Sequence, residues 1–199
     1  MMVTRDWRRI IKYYVFILVF WSLFRYLLRL PEVIDELWFK PVIWLVPLFW
    51  WQVSDVRKRV ILFKGKPAKA AVWGLMVGLF YYAVVKMVTK TSWLDFSWSQ
   101  IGISFATAVI EEVTFAGIIL PRLLAETKKI NISLAVVAVM FALTRLPINL
   151  FVFHLSLTAV IGAFGLAFFV GLVNGFVRLR SDSTFAAIIA HFMYLVAVV

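Results

Sequence analysis

The composition of this chain of 199 residues excludes a water-soluble globular fold. Hydrophobic residues make up 64% of the chain, charged residues only 16%, and the mean hydropathy is +0.96, whereas a soluble domain is about 45–50% apolar. The net charge of +11 alone would be compatible with nucleic-acid binding. However, Lys and Arg stand in short clusters between apolar runs, as they do beside membrane helices. We therefore predict an integral membrane protein that contacts membrane lipid and no nucleic acid.

Apolar runs long enough to cross about 30 Å of hydrocarbon predict about seven transmembrane helices. In chain order the predicted spans are 10–28, 40–53, 70–88, 100–125, 132–146, 150–177 and 184–199. The second and fifth spans are short, and a half-inserted or re-entrant course is the alternative for each. We predict an all-α fold, a polytopic transmembrane helical bundle, that forms one membrane domain over residues 1–199. The chain has no cysteine, which excludes disulfides, thiolate metal sites and a cysteine nucleophile.

The positions of Lys and Arg predict the orientation of the bundle, because basic loops stay in the cytoplasm. Glu32, Asp35 and Glu36 are assigned to a loop on the other side of the membrane. The N-terminus is predicted in the cytoplasm and the C-terminus outside, in the cell membrane. The basic clusters are Arg5, Arg8, Arg9 and Lys12; Arg57, Lys58, Arg59, Lys64, Lys66 and Lys69; Lys128 and Lys129; and Arg178 and Arg180.

Four ionisable residues lie inside predicted spans instead of at their ends: Glu111, Glu112, Arg145 and His191. An ionised carboxylate in hydrocarbon costs several kcal/mol unless it is paired, hydrated or bound to a metal. At about 1.5 Å per residue, these groups reach similar depths, in the cytoplasmic half or near the midplane, so we expect one shared polar site. Adjacent helical residues point about 100° apart, so Glu111 and Glu112 are expected to have different roles.

Two interpretations of this group stay open. The glutamates form a structural ion pair with Arg145, or one of them activates water or binds a metal with His191 as a nitrogen ligand. A lone histidine in an apolar helix also forms hydrogen bonds across helix interfaces. We expect His154 at the membrane boundary and outside the site. Asn174 is predicted near the cytoplasmic end of its span, where water reaches it.

Three segments resemble the motifs of the CPBP family, which contains CAAX proteases and bacteriocin-processing enzymes. EEVTFAG at 111–117 resembles Glu-Glu-x-x-Phe-Arg-Gly, FALTRLP at 141–147 resembles Phe-x-x-x-His, and AIIAHFMYL at 187–195 resembles His-x-x-x-Asn. The resemblance covers a core of about 100–199. It implies an all-helical intramembrane metalloprotease that cleaves peptide or lipidated protein tails, with a zinc-like divalent metal and water positioned on the cytoplasmic side. By this resemblance Glu111, Glu112 and His191 are the catalytic candidates, and Glu111 and His191 the metal ligands if a metal is retained.

The chain departs from the family pattern in all three motifs. Ala116 replaces an arginine, Arg145 a histidine and Leu195 an asparagine among the residues expected to line the site. Arginine is always protonated and is no normal metal ligand. One hypothesis is therefore that an ion pair between the glutamates and Arg145 replaces the metal, giving a pseudoprotease without a cofactor that serves as a membrane scaffold or in bacteriocin immunity. The other is a peptidase with a degraded metal site, so the sequence leaves open whether the chain is an enzyme.

Overall fold

A computed structural model describes residues 5–28, 30–54, 62–93 and 97–198, but not the side chains of residues 5, 53 and 54. Within these ranges all regular elements are helices, and one isolated bridge joins Phe63 to Ser183. The stretch 32–54, called α2 here, combines Glu32–Ile34 and Val46–Ser54 with the π-helical turns Asp35–Phe39 and Pro41–Leu45. The other helices are α1 Arg5–Leu27, α3 Pro67–Thr89, α4 Trp98–Thr127, α5 Ile130–Thr144, α6 Leu146–Phe151, α7 Leu157–Ser181 and α8 Thr184–Val198.

The predicted all-α membrane bundle is confirmed. Among the described residues, five helices are long and apolar enough to cross a membrane: α1 from Asp6, α3, α4, the combined α5 and α6, and α7. The helix α8 is apolar but has only 15 residues, and α2 carries charged residues and π-helical turns. These seven segments correspond to the seven predicted spans. The chain is thus an integral membrane protein with several transmembrane helices.

Two predicted span boundaries are wrong. The second span was expected from residue 40, but α2 begins at Glu32, so Asp35 and Glu36 lie in a helix and are only 3% and 5% exposed. Their burial was not expected, because their basic partners gave no such signal in the sequence. Arg25 lies on the preceding helix, and Lys40 was assigned to the end of a predicted span. The sixth span was expected from residue 150, but α7 begins at Leu157, where Ser156 caps the helix by accepting a hydrogen bond from the Ala159 amide.

The helix α4 is the central element of the bundle and carries the Glu-Glu motif. A capping box between Ser97 and Gln100 starts it, and Lys128 ends it in the left-handed conformation. Of the 18 consecutive residues that form its most apolar stretch, about 83% are buried inside the bundle. The helix widens into a π-helical segment, Val113–Ile119, directly after Glu112, a distortion that is frequent at functional sites.

Two ends of the bundle can be distinguished by their contacts. At one end the Thr184 amide donates to the Leu62 carbonyl (2.9 Å), and Arg122 donates to Gln52 (2.7 Å). At this end, called the basic end, lie the described residues Arg8, Arg9, Lys12, Lys64, Lys66, Lys69, Lys128, Lys129, Arg178 and Arg180. The rings of Tyr26 and Phe151 meet at the opposite end. Arg57, Lys58 and Arg59 lie outside the described residues, and which end is cytoplasmic stays a prediction.

Close contact between α3 and α8 depends on small residues. A Cβ added at Gly74 would lie 2.7 Å from the Ala186 carbonyl oxygen, and one at Gly78 would lie 2.6 Å from the Met193 sulfur. Such distances are shorter than van der Waals contact allows. At Gly74 the nearest atom belongs to the backbone, so the two helices approach this closely only with glycine there, whereas at Gly78 the Met193 side chain would have to move. The pairing places α8, which carries His191, firmly against the bundle.

Candidate functional site

Glu111 is held between two cations. It lies on α4 and is 1% exposed. The Arg145 guanidinium Nη2 contacts its Oε2 at 2.5 Å, and the Lys40 ammonium contacts its Oε1 at 2.6 Å. Both carboxylate oxygens therefore accept charge-assisted hydrogen bonds, which offset the cost of burying the charge.

Glu112 faces a different set of partners, as the helical geometry predicted. Its Oε1 accepts a hydrogen bond from the Asn174 amide nitrogen and lies 2.7 Å from His191 Nδ1. The Tyr81 hydroxyl donates in turn to Asn174 Oδ1 at 3.3 Å. Asn174 is 1% exposed, so the prediction that water reaches it is wrong: its position near a helix end is covered by the packing of α3, α4 and α8 around α7.

His191 joins the two glutamates and Arg145 in one site. The ring is fully buried and packs edge-on against Phe141 at a centroid distance of 5.4 Å. An ionised Glu112 accepts hydrogen bonds only, so Nδ1 of His191 is assigned the hydrogen. Nε2 then accepts from Arg145 Nη2 at 3.4 Å and lies 3.6 Å from Glu111 Oε2. The shared polar site expected from the sequence is therefore present.

Four further residues complete the buried charge network and were missed. Glu36 Oε2 lies 2.6 Å from Lys40 Nζ and accepts from Thr107 at 2.8 Å, while its Oε1 contacts Arg25 Nη2 at 2.6 Å. Arg25 also pairs with Asp35 at 2.7 Å. The spacing of Glu36 and Lys40 by four residues was a usable helical signal. The contact between Lys40 and Glu111 gave no such signal, because these two residues lie on helices that are distant in sequence.

Acidic and basic groups alternate along this network from Asp35 to Arg145, and the His191 ring then links Arg145 to Glu112. We call it the ion-pair chain, and its members in spatial order are Asp35, Arg25, Glu36, Lys40, Glu111, Arg145, His191 and Glu112. Each of the three fixed cations contacts two neighbours in the chain. From Asp35 to Arg145, alternation places opposite charges next to each other, so these charges are compensated locally in a region from which water is largely excluded.

A cavity of about 350 Å³ leads from the surface to Arg145. Glu32, Phe153 and Val198 line it where the protein surface is exposed, and all three stand at the opposite end of the bundle from the basic end. Leu195 also lines the cavity. Ala116 does not: it is 2% exposed within the π-helical segment of α4 and is absent from the cavity wall.

The donor atoms do not fit a divalent metal. Glu111 Oε2 and His191 Nε2, which would have to converge on the ion, both contact the Arg145 guanidinium instead. A metal there would meet a permanent positive charge and would lose the nitrogen ligand that the family has at position 145. Among the described residues, no group of three or more His, Cys, Asp or Glu side chains has an arrangement that could hold a metal.

His154 lies apart from the site. It has a positive φ of 49° in the turn before α7 and is exposed. It lines a separate cavity of about 150 Å³ together with Arg25 and Asp35. No contact joins it to Glu111, Glu112 or His191 among the described residues.

Comparison with known families identifies the region that carries the site. The sequence model for the type II CAAX prenyl endopeptidase Rce1-like family matches residues 92–197. That match covers more than half of the chain and contains Glu111, Glu112, Arg145 and His191. No curated protein and no solved structure matches the chain. The chain belongs to the type II CAAX prenyl endopeptidase Rce1-like family.

Proposed function

We propose that this chain is a noncatalytic member of its family, a pseudoprotease that binds an apolar peptide or a lipidated protein tail without cleaving it. The observation that carries this proposal is the position of the Arg145 guanidinium, against both Glu111 Oε2 and His191 Nε2. These atoms are the ones that a family-type metal centre would need. A guanidinium has no lone pair to offer and does not deprotonate.

The two glutamates are poorly placed to act as general bases, for different reasons. A general base needs a free acceptor atom within reach of the proton that it abstracts. Both oxygens of Glu111 are instead engaged by cations. Glu112 accepts from Asn174 and His191 through Oε1 alone, and it is burial, with only 2% of the residue exposed, that separates this carboxylate from water. The site therefore stabilises a fixed arrangement of charges, which supports a binding or scaffold role.

The cavity supports binding of an apolar ligand. Its volume of about 350 Å³ is within the range of about 300–1,000 Å³ for small-molecule sites. Apolar side chains such as Phe141, Leu166 and Leu195 form much of the wall. Because the basic residues gather at the other end, the positive-inside rule predicts that the mouth of the cavity is non-cytoplasmic. The ligand would then enter from the outer side, which suits a scaffold or immunity role against an incoming peptide better than cleavage of a cytoplasmic tail.

The peptidase alternative is favoured by one observation, the convergence of both glutamates on His191. In that case Glu111 or Glu112 acts as the general base and the protein cleaves peptide or lipidated tails with a divalent metal. Metal analysis of the purified protein in lipid vesicles, together with peptide cleavage with and without a chelator, distinguishes the two. We expect substoichiometric metal and no chelator-sensitive cleavage. Near-stoichiometric zinc, or chelator-sensitive cleavage that Glu111→Ala abolishes, would refute the noncatalytic role.

A restoration experiment tests the same proposal from the other direction. The triple variant Ala116→Arg, Arg145→His and Leu195→Asn returns the family's residues to all three motifs. It removes the guanidinium from the site and supplies a second imidazole. We expect it to bind a divalent metal that the unaltered chain does not bind. Absence of any gain in metal binding by a folded triple variant would contradict family-type geometry at this site.

Binding itself is tested with a fluorescent peptide that carries a lipid-modified end. Ala167 is 8% exposed and lines the cavity, so Ala167→Phe fills part of it. Ala125→Phe is the matched control because Ala125 is exposed on α4 and does not line the cavity. We expect the first variant to lower the affinity at least tenfold and the second to leave it unchanged. Equal affinities of both variants and the unaltered chain would exclude this cavity as the binding site.

A further inference from the structure

Two buried polar side chains line the cavity without partners of their own. Ser104 on α4 and Asn149 on α6 are only 5% and 8% exposed, and both line the cavity that leads to Arg145. Within the described ranges neither side chain makes a hydrogen bond, but their polar atoms are still accessible. Thr107 in the same wall differs, because it donates to Glu36. Buried polar groups normally have partners, so a partner for Ser104 and Asn149 has to come from the cavity.

Two further residues add unused hydrogen-bonding groups to the same cavity. The contacts of Arg145 with Glu111 and His191 both use Nη2, and its Nε and Nη1 have no acceptor among the described residues. The Tyr194 hydroxyl on α8 is likewise without a hydrogen bond in the part of the chain that the structure describes, and this residue also lines the cavity. Donors and acceptors from separate helices therefore surround one volume.

The combination of polar groups and apolar wall suits a peptide better than water or a bare hydrocarbon chain. At about 30 Å³ per molecule, about a dozen water molecules would fill 350 Å³. Most of them would face apolar side chains such as Ile103, Phe141 and Ile148, which favours their displacement. A hydrocarbon chain would cover these side chains but leave Ser104 and Asn149 unpaired. A peptide offers apolar side chains together with backbone N–H and C=O groups.

The charges around the cavity favour a segment without a free carboxylate. Glu32 and Glu36 line the cavity, and Arg145, its cation, is already paired with Glu111. A terminal carboxylate of the ligand would add another negative charge to this wall and would compete with Glu111 for one guanidinium. An uncharged stretch of backbone avoids that repulsion.

We infer that the cavity recognises the backbone of an uncharged, apolar peptide segment and that Asn149 is its main hydrogen-bonding residue. The carboxamide of Asn149 donates through Nδ2 to a backbone carbonyl of the ligand and accepts a backbone N–H through Oδ1. Ser104 supplies a further hydrogen bond. The inference rests on the proposed binding function and names the part of the ligand that is recognised.

Replacing backbone amides of the ligand with esters tests this recognition. The probe is a lipid-free, apolar fluorescent peptide with an amidated carboxyl end, titrated against the purified protein by fluorescence anisotropy. A second peptide has esters in place of its two central amides, which removes two N–H donors and adds no bulk. We expect the ester peptide to bind at least about fivefold more weakly to the unaltered chain. Asn149→Leu should remove most of this difference.

A matched variant controls for the loss of a carboxamide as such. Asn131 is exposed on α5 and does not line the cavity, so Asn131→Leu should preserve the difference between the two peptides. Asn149→Leu should also leave the thermal stability of the free protein unchanged, because its carboxamide has no partner there. A clear loss of stability would reveal a structural role for Asn149 and would overturn the inference.

The remaining outcomes separate this inference from the proposed function. Weaker binding to Ala167→Phe, together with equal binding of amide and ester peptides, would keep the cavity as the binding site but overturn recognition of the backbone. Tighter binding of the same peptide with a free carboxyl end would also overturn it, since Arg145 would then select an anion. Absence of any peptide binding would refute both the binding function and the inference.

Discussion

Removal of the charge on Glu111 should destabilise the fold strongly. Glu111→Gln keeps the shape of the side chain but leaves Lys40 and Arg145 facing a neutral group at distances of 2.6 and 2.5 Å. Lys40 is only 2% exposed, so water cannot replace the lost partner. Removing one partner of a buried ion pair costs about 3–5 kcal/mol. We expect the upper part of this range because two cations lose the same carboxylate.

Equilibrium unfolding in mixed micelles, followed by circular dichroism, measures this loss. Glu126→Gln is the matched control, since Glu126 is also on α4 but is half-buried near its end. It should change the unfolding free energy by less than about 0.5 kcal/mol. A loss below about 1 kcal/mol for Glu111→Gln would contradict the view that fixed, local charge compensation maintains the site.

A double-mutant cycle separates the contribution of Arg145 from that of Lys40. Arg145→Gln alone leaves Glu111 with Lys40, so it should cost less than Glu111→Gln. The double variant should be more stable than the sum of the two losses predicts, because the uncompensated guanidinium is gone. We expect a coupling of about 1–3 kcal/mol. Strict additivity of the two losses would mean that the contact between the two side chains contributes nothing to stability.

Three further outcomes are expected. Lys40→Met should cost about 3–5 kcal/mol in the same unfolding assay, because the ammonium bridges two buried carboxylates; a neutral effect would contradict that bridging role. Gly74→Ala should cost about 1–3 kcal/mol through overpacking against α8. Gly102→Ala, where an added Cβ meets nothing within 4 Å, should instead be neutral or stabilising; equal effects at the two glycines would exclude close packing as the cause. Since the chain has no cysteine, Phe153→Cys should react in whole cells with a membrane-impermeant maleimide and Lys129→Cys should not, and the reverse result would invert the proposed orientation.

The sequence was sufficient for the fold class and for the centre of the site. Membrane helices can be recognised from the sequence, because a helix in lipid requires a long apolar run and any charge inside that run is energetically costly. For that reason the positions of Glu111, Glu112, Arg145 and His191 within apolar runs were enough to select them as site residues. The different directions of the adjacent glutamates also followed, because the angle between neighbouring residues is a property of the helix itself.

Other parts of the site required the folded arrangement. Asp35 and Glu36 resemble loop residues when a span is defined by its apolar content alone, and α2 carries them into the bundle only because Arg25 and Lys40 compensate them there. Asn174 stands near a helix end in sequence but is covered by neighbouring helices. Hydropathy is a sum over one segment and contains no term for a partner on another segment.

The sequence by itself determined that this protein is a helical membrane bundle and that Glu111, Glu112 and His191 lie within altered family motifs. The tertiary structure alone decided what Arg145 does there: its guanidinium lies between Glu111 and His191 and continues a chain of alternating charges that begins at Asp35. The physical reason is that a buried charge is stable only beside an opposite charge. Which groups become neighbours depends on how helices far apart in the chain pack together.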